Sequence, residues 1–283
     1  MQEPRILTIQ DISCVGQCSL TVALPILSAC GIETSVLPSA VLSTHTGGFN
    51  DFTFRDLTED IPRIREHWEQ EGILFDAIYT GYLGSAKQID YVRDIFLTVL
   101  TPGAIRIVDP AMADLGKLYY GFDYPFVDAM KKLCQESDII LPNITEACLL
   151  TGIEYQEEYS ESYTKELIHC LYEEGMKTVV LTGVGYEPST TGVLVSENEE
   201  LSYYCHRKLP VRCHGTGDIF ASSFTGCVIN GIHILDSVKI AADYTVRCIE
   251  NTQNDPSHWY GVRFEGVLPE LIEMIYRKKN SDE

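Results

Sequence analysis

Residues Phe75–Pro110 read FDAIYTGYLGSAKQIDYVRDIFLTVLTPGAIRIVDP. FDAIYTG and IRIVDP are short apolar runs that read as buried strands, and Lys87 to Leu100 between them reads as a helix closed by Thr101-Pro102-Gly103. A strand, a helix and a second strand make one βαβ unit, which sets its two strands parallel.

The same alternation extends outward in both directions. Arg5–Gln10 is a strand, and Cys18–Cys30 a helix stopped by Gly31 and kinked at Pro25. Ile32–Leu37 is a second strand, and Thr58 is placed to cap a helix ending at Gly72. Tyr124–Glu136 is helical, DIILPN a strand, and Thr145–Thr151 a short helix. Ser162–Glu174 is a helix ending at Gly175, followed by the strand KTVVLTG and a hairpin of GVLVSE and LSYYCHRK. Helices follow after Gly217, over Leu235–Ile249 and over Val267–Arg277. The fold class expected is a three-layer α/β/α sandwich with a mostly parallel central sheet, formed as one domain over residues 1–283.

In such sheets a ligand binds beyond the carboxyl ends of the strands. Asp11, Thr80-Gly81-Tyr82, Asp109, Asn143 and Thr182-Gly183 each follow an apolar strand, so they are expected on one rim. The acidic stretch Glu154–Tyr163 is read as a solvated loop without a function.

Composition sets limits on partners. The 283 residues are 45% hydrophobic, enough for a sizeable core, and the net charge is −20. That charge argues against a nucleic-acid or anionic-membrane partner, but not against a small phosphorylated ligand. The ten cysteines form no CxxC pair, and the Cys205-His206 and Cys213-His214 steps have no common zinc spacing. Reduced thiols fit a cytoplasmic location. The N-terminus shows no signal peptide, and no apolar run is long enough for a membrane span.

The chemistry concentrates at HGTGD, residues 214–218. Gly215 and Gly217 permit positive φ and close approach of a ligand, and a helix starting near Gly217 leaves its first amides unpaired. Those amides make an anion site, to which Thr216 adds a hydroxyl. Asp218 then lies beside the anion, where it can accept a proton from a hydroxyl attacking phosphorus. The alternative is a glycine loop in which Asp218 only caps the helix. Asn143 and Glu146, in LPNITE, can face a magnesium ion directly or through water. They can equally be a helix N-terminus with Thr145 as its cap. No GxxxxGK[ST] loop is present, and no GxGxxG follows the first strand, which opposes a nicotinamide-dependent oxidoreductase.

Taken together, HGTGD, LPNITE and VDPAM resemble the ribokinase-like superfamily of small-molecule kinases. ILTIQDIS, LSTHTGGF, TGYLGS and VDPAMADLGKLY are similar to the corresponding segments of its pyridoxal kinase branch. The resemblance runs in order from Ile6 to about Gly231. It implies ATP-dependent phosphorylation of a vitamin B6 vitamer, with Asp218 as base and Gly215, Thr216 and Gly217 as anion hole. It implies that Asn143 and Glu146 arrange Mg-ATP, that Asp109 lies near metal and phosphates, that Asp114 lies in a covering loop, and that Thr182 sits beside the phosphates. His45, Thr46 and Tyr82 would line the pyridine ring, and an aromatic such as Tyr82 can stack on a flat ring. A homodimer is also implied, and a monovalent-cation requirement stays open.

One departure stands out. Asp11 occupies a position where pyridoxal kinases usually carry a serine that contacts the ring. An acidic side chain there is expected to shift preference toward a protonated ring nitrogen or an amine, unless Ser13 supplies the missing hydroxyl. Two readings compete with the vitamer kinase. One is a hydroxymethylpyrimidine kinase of thiamin synthesis, which STHTG and GYLGS disfavour. The other is a non-catalytic vitamer-binding module, which the intact Asp218 disfavours.

Overall fold

The computed structural model describes residues 4–211 and 213–281. The first half runs β1 (Arg5–Ser13), α1 (Leu20–Ala29), β2 (Glu33–Leu42), β3 (Phe54–Asp56), α2 (Ile61–Gln70), β4 (Phe75–Thr80), α3 (Ala86–Thr98) and β5 (Leu100–Val108). A small hairpin follows, β6 (Ala113–Asp114) and β7 (Lys117–Leu118), then α4 (Tyr124–Gln135), β8 (Ile139–Ile140), α5 (Ile144–Thr151) and α6 (Glu161–Glu173). The chain continues through β9 (Thr178–Val184), β10 (Thr190–Glu197), β11 (Glu200–Arg207), α7 (Thr216–Ile229), α8 (Ile234–Thr252) and α9 (Leu268–Ser281).

The main sheet has nine strands in the order β11-β10-β9-β8-β5-β4-β1-β2-β3. From β9 to β2 every neighbour is parallel, and antiparallel strands occur only toward the two edges. Residues on the central strands alternate between two cores. Leu7, Ile78, Val179 and Leu181 enter one, with side chains of α2 to α6. Ile6, Ala77, Tyr79 and Val180 enter the other, with side chains of α1, α7, α8 and α9. A strand covered on both faces has no polar side, so these segments read as unbroken apolar runs. The three-layer α/β/α arrangement is as expected.

Several local readings differ. Thr101-Pro102-Gly103 does not end α3 as a turn but lies inside β5. The register between β4 and β5 jumps from Phe75↔Leu100 to Ala77↔Ile105, so these residues bulge out. The pairing of β5 with β8 begins only at Ile107, so Pro102 costs no ladder bond on that side. Thr58 does not cap α2, which starts at Ile61. Its hydroxyl instead donates to Asp56 and accepts from Gln88 Nε2 at 2.9 Å. Helix α1 continues through Pro25.

Helices α1 and α7 approach closely at Gly226. A Cβ there would stand 2.4 Å from Cys30 Sγ and 2.9 Å from Cys30 Cβ. Alanine in a helix interior normally adds stability, but the clash is the larger effect. Gly226→Ala is expected to lower stability by about 1–3 kcal/mol. In urea unfolding the midpoint should fall with the slope unchanged; an unchanged or raised midpoint would contradict the close contact.

Candidate active site

The expected rim is formed by neighbouring strands. Across the sheet, Thr182 stands on β9, Asn143 after β8, Asp109 after β5, Tyr82 after β4 and Asp11 on β1. Backbone bonds tie these ends together: Thr182 N–H to the Pro142 carbonyl at 2.9 Å, Asp109 N–H to Thr80 at 2.9 Å, and Gly81 N–H to Ile9 at 3.1 Å. One detail differs from the sequence reading. β1 does not end before Asp11 but continues to Ser13, and its register against β2 shifts between Gln10 and Ile12, around Asp11. Such an irregularity turns a strand and re-aims its side chains.

The start of α7 depends on Gly215. Its φ of 81° is left-handed, and a Cβ would lie 1.8 Å from the Gln17 carbonyl oxygen, so no other residue fits without rearrangement. A Cβ on Gly217 would meet nothing within 4 Å, so that position borders open space. Thr216 is half-buried beside it. No side chain caps α7, which leaves its first amides available to an anion.

Asp218 lies in the first turn, half-buried by surface exposure yet surrounded by protein on its inner side. Burial pushes its carboxyl up to about 7, the charge of Asp11 adds to this, and the Ser19 amide opposes it. Asp11 is itself buried and raised, mainly by desolvation. It accepts from Ser13 Oγ at 2.8 Å, and the Ser19 hydroxyl also bonds it. Ser19 therefore joins the two carboxylates, in a backbone conformation with φ of 54° that is uncommon outside glycine.

A second acidic pair lies on the other side of Asp218. Asp109 is pushed well above its ordinary value by burial, then by the charges of Glu146 and Asp218. Glu146 is raised to about 8 by burial, although its oxygens accept from the Asn143 amide at 2.9 Å and the Met112 amide at 3.1 Å, with the Ala113 amide at 3.5 Å. Asn143, not Thr145, is the cap of α5, and with Glu146 it completes a capping box. Thr145 serves the β6–β7 hairpin instead, by accepting from the Gly116 amide at 3.0 Å. Asn143 Nδ2 donates to the Ala113 carbonyl at 2.8 Å. The N-terminus of α5 is thus the anchor of this hairpin. Asp114 is exposed on it, and its carboxylate accepts from the Leu115 amide.

On the β1–β2 side, His45 is buried with both ring nitrogens engaged. Nδ1 accepts from the Gly47 amide at 3.0 Å, which leaves the proton on Nε2, bonded to the Tyr260 carbonyl at 2.5 Å. The ring holds a loop in place rather than offering a free nitrogen. Thr46 is exposed beside it. Tyr82 stands with its hydroxyl raised to about 12 by burial and by the charges of Asp11 and Asp56. Thr182 is half-buried, and its hydroxyl donates to the Pro142 carbonyl at 3.3 Å.

Sequence reasoning missed three participants. Ser19 carried no signal beyond being a polar residue before a helix. Tyr119 belongs to the hairpin, and its hydroxyl is raised by burial and by Glu146, Asp114, Asp109 and Asp218. The third is the aromatic run His258-Trp259-Tyr260, which packs on the loop of His45. That run, three aromatic side chains before a glycine, was the one visible signal. Among the described residues, no three His, Cys, Asp or Glu side chains form a metal cage. Nor is any helix among them long and apolar enough to cross a membrane.

Comparison with known proteins bears on the family and the fold. The phosphomethylpyrimidine kinase family matches residues 62–261. A crystal structure of a Bacteroides thetaiotaomicron protein described as a phosphomethylpyrimidine kinase is 34% identical, with a TM-score of 0.91 over 96% of this chain and 94% of that one. The pyridoxal kinase of Lactobacillus plantarum is 30% identical, with a TM-score of 0.89 over 98% of this chain and 99% of that one. The pyridoxal kinase of Arabidopsis thaliana is 27% identical over 78% of this chain and 73% of its own. A kinase with this fold, this late helix and these relatives is placed by them: the chain belongs to the phosphomethylpyrimidine kinase family, on the pyridoxal kinase side of the ribokinase-like superfamily.

Proposed function

We propose that the enzyme transfers the terminal phosphoryl group of ATP to the hydroxymethyl group of a vitamin B6 vitamer: pyridoxal, pyridoxamine or pyridoxine. The product from pyridoxal is pyridoxal phosphate recovered from the free vitamin. The observation that carries this reading is Asp218, a raised carboxylate in the first turn of a helix that no side chain caps. The Bacteroides thetaiotaomicron relative, 34% identical, also has a crystal form with pyridoxal.

In this reading Asp218 takes the proton as the substrate oxygen attacks phosphorus and the bond to the leaving ADP oxygen breaks. The amides from Gly215 to Gly217 stabilise the charge on the migrating group, with the Thr216 hydroxyl beside them. Tyr82 and the His45–Thr46 loop bound the ring. Asp109, Asn143, Glu146 and Thr182 bound the phosphates, and the hairpin carrying Asp114 and Tyr119 shields them from water. Asp11 faces the acceptor side and favours a ring nitrogen or amine that carries a proton.

Magnesium fits this donor set, because oxygen ligands alone are present and a dication favours the ionised forms of Asp109 and Glu146, which burial first and neighbouring carboxylates second disfavour. Both Glu146 oxygens already accept from amides, so its contact with the ion would run through water. The Asp109 carboxylate takes no hydrogen bond among the described residues and is the freer ligand. Bound with ATP, the ion would neutralise phosphate charge.

Asp218→Asn removes the proton acceptor and keeps the shape. Turnover with the three vitamers, and with hydroxymethylpyrimidine as the competing acceptor, is expected to fall by about a hundredfold or more. Near-normal turnover would assign the base elsewhere, and a preference for hydroxymethylpyrimidine would move the enzyme to thiamin precursors.

The pH profile follows from the direction of the shift. The base form of Asp218 disappears as pH falls through about 7. Below that point kcat/KM is expected to drop about tenfold per pH unit, and above it to level off. An inflection below pH 5 would exclude Asp218 as the base.

Stability should move the opposite way. The native state holds this proton more tightly than the unfolded chain, so ionising Asp218 destabilises the fold as pH rises from about 4 to about 7. Asp218→Asn is expected to raise the melting temperature by a few degrees at pH 8 and by almost nothing at pH 4. Equal shifts at both pH values would show that ionisation is not the cause.

A further inference from the structure

Behind α8 the chain does not pass straight to α9. Residues 255–261 form a short 3₁₀ turn, Pro256–His258, and then run Trp259-Tyr260-Gly261 between the loop of His45 and Gln17. This segment touches two loops that the proposed reaction uses. On one side Trp259 packs on Phe49 with the rings tilted at 44° and centroids 4.6 Å apart, and a Cβ on Gly48 would stand 2.9 Å from its Cζ3. The Tyr260 carbonyl accepts from His45 Nε2 at 2.5 Å. On the other side Gly261 lies against Gln17, where a Cβ would be 2.5 Å from Gln17 Cβ. The Gln17 carbonyl in turn fits against Gly215, and Gln17 Nε2 donates to Glu265 Oε1 at 2.6 Å.

The segment therefore spans from the acceptor loop to the first residue of the anion site, through one layer of contacts on each side. His45 and His214 close the third side, with ring centroids 5.1 Å apart. Glycine is required at three of these contacts because backbone meets backbone or ring there. Trp259 remains 51% exposed, far above what a core tryptophan would show. A large apolar surface left open beside a small-molecule site, next to Phe49, is a wall for a flat ring.

We propose that the 255–261 segment is a specificity-determining part of the acceptor site, in which Trp259 and Phe49 form an aromatic wall for a planar heteroaromatic alcohol. The segment also fixes the spacing between the acceptor loop and the Gly215 turn. This inference rests on the proposed phosphorylation of a vitamer. It adds a distant stretch of chain, joined to the site only by folding, to the residues that recognise the ring.

The test is a kinetic comparison of wild type, Trp259→Ala and Trp259→Phe, with pyridoxal and ATP each varied. Loss of the indole should raise KM for pyridoxal by about tenfold, the size of one aromatic contact with its buried area. KM for ATP and kcat should stay within about twofold, since the segment touches none of Asp109, Asn143, Glu146 or Thr182. Trp259→Phe should restore most of the affinity. Thermal melting separates a folding defect, which would lower the active fraction and with it the apparent kcat, from a lost wall. An unchanged pyridoxal KM in Trp259→Ala, or a rise shared by ATP, overturns the inference while the wild-type activity stands. Absence of wild-type turnover with every vitamer overturns the reading beneath it, and this inference with it.

Discussion

Four carboxylates without a lysine or arginine partner are gathered at one end of one sheet, and the site depends on how that charge is tolerated. Asp11, Asp218, Asp109 and Glu146 stand in sequence across it. Each is raised first of all by burial, and none is paired with a lysine or arginine among the described residues. In water such a cluster would spread apart. Here the strand ends that carry Asp11 and Asp109 and the helix starts that carry Glu146 and Asp218 are fixed by the sheet and the layers packed on it, so the charges stay together and their proton affinity rises instead. Repulsion that the fold does not relieve is an affinity for whatever does relieve it. In the proposed reaction a cation carried in with phosphates would relieve it, and a proton taken from an alcohol would relieve it at Asp218.

Backbone amides make the arrangement affordable. Glu146 accepts from three of them and Asp218 from that of Ser19, while hydroxyls of Ser13 and Ser19 serve Asp11. These donors are rigid and neutral. They lower the penalty of each charge without cancelling it, as an arginine would. The same logic explains two left-handed positions, of which only Ser19 is strained. Ser19 at φ of 54° turns its amide toward one acid and its hydroxyl toward another, and Gly215 at φ of 81° presents the first turn of α7 outward. Strain at Ser19 is retained because the surrounding layers over-determine it.

The parts of this structure legible in the sequence are those encoded locally. Strand and helix alternation survives in the order of apolar runs, and the rim is legible because each member directly follows its own strand. Parts made by distant pairing are not. The three residues of β3 gain their conformation from β2, and the β6–β7 hairpin has only four strand residues, held by Glu146 and Thr145 from another element. Thr101-Pro102-Gly103 has every mark of a turn, and only the overhang of β5 beyond β8 lets it continue as strand. Asn143 and Glu146 are read as facing metal or capping a helix. They do the second plainly, and through it they fasten the hairpin. A residue pair can thus serve a site by holding its cover, a role that no motif distinguishes from ligation.

Asp218 also divides the site by chemistry. On its β1 side stand Asp11, Tyr82 and the loop of His45, which combine aromatic faces with one buried charge. On its β5 side stand Asp109, Glu146 and the hairpin, where charge and amides dominate. A flat, weakly charged molecule suits the first half and a metal-bound polyanion the second. The carboxylate between them stands in the first turn of a helix that no side chain caps, unlike Glu146 in the capping box of α5, and unpaired amides there favour negative charge on a ligand as well as on the side chain. In the proposed transfer, base and anion site share one turn, so the proton acceptor and the cradle of the migrating group are set by one rigid element. Any motion that opens the cover leaves that pair intact. The geometry of transfer is therefore built into α7 and β1, while the loops and hairpin determine what is admitted to it.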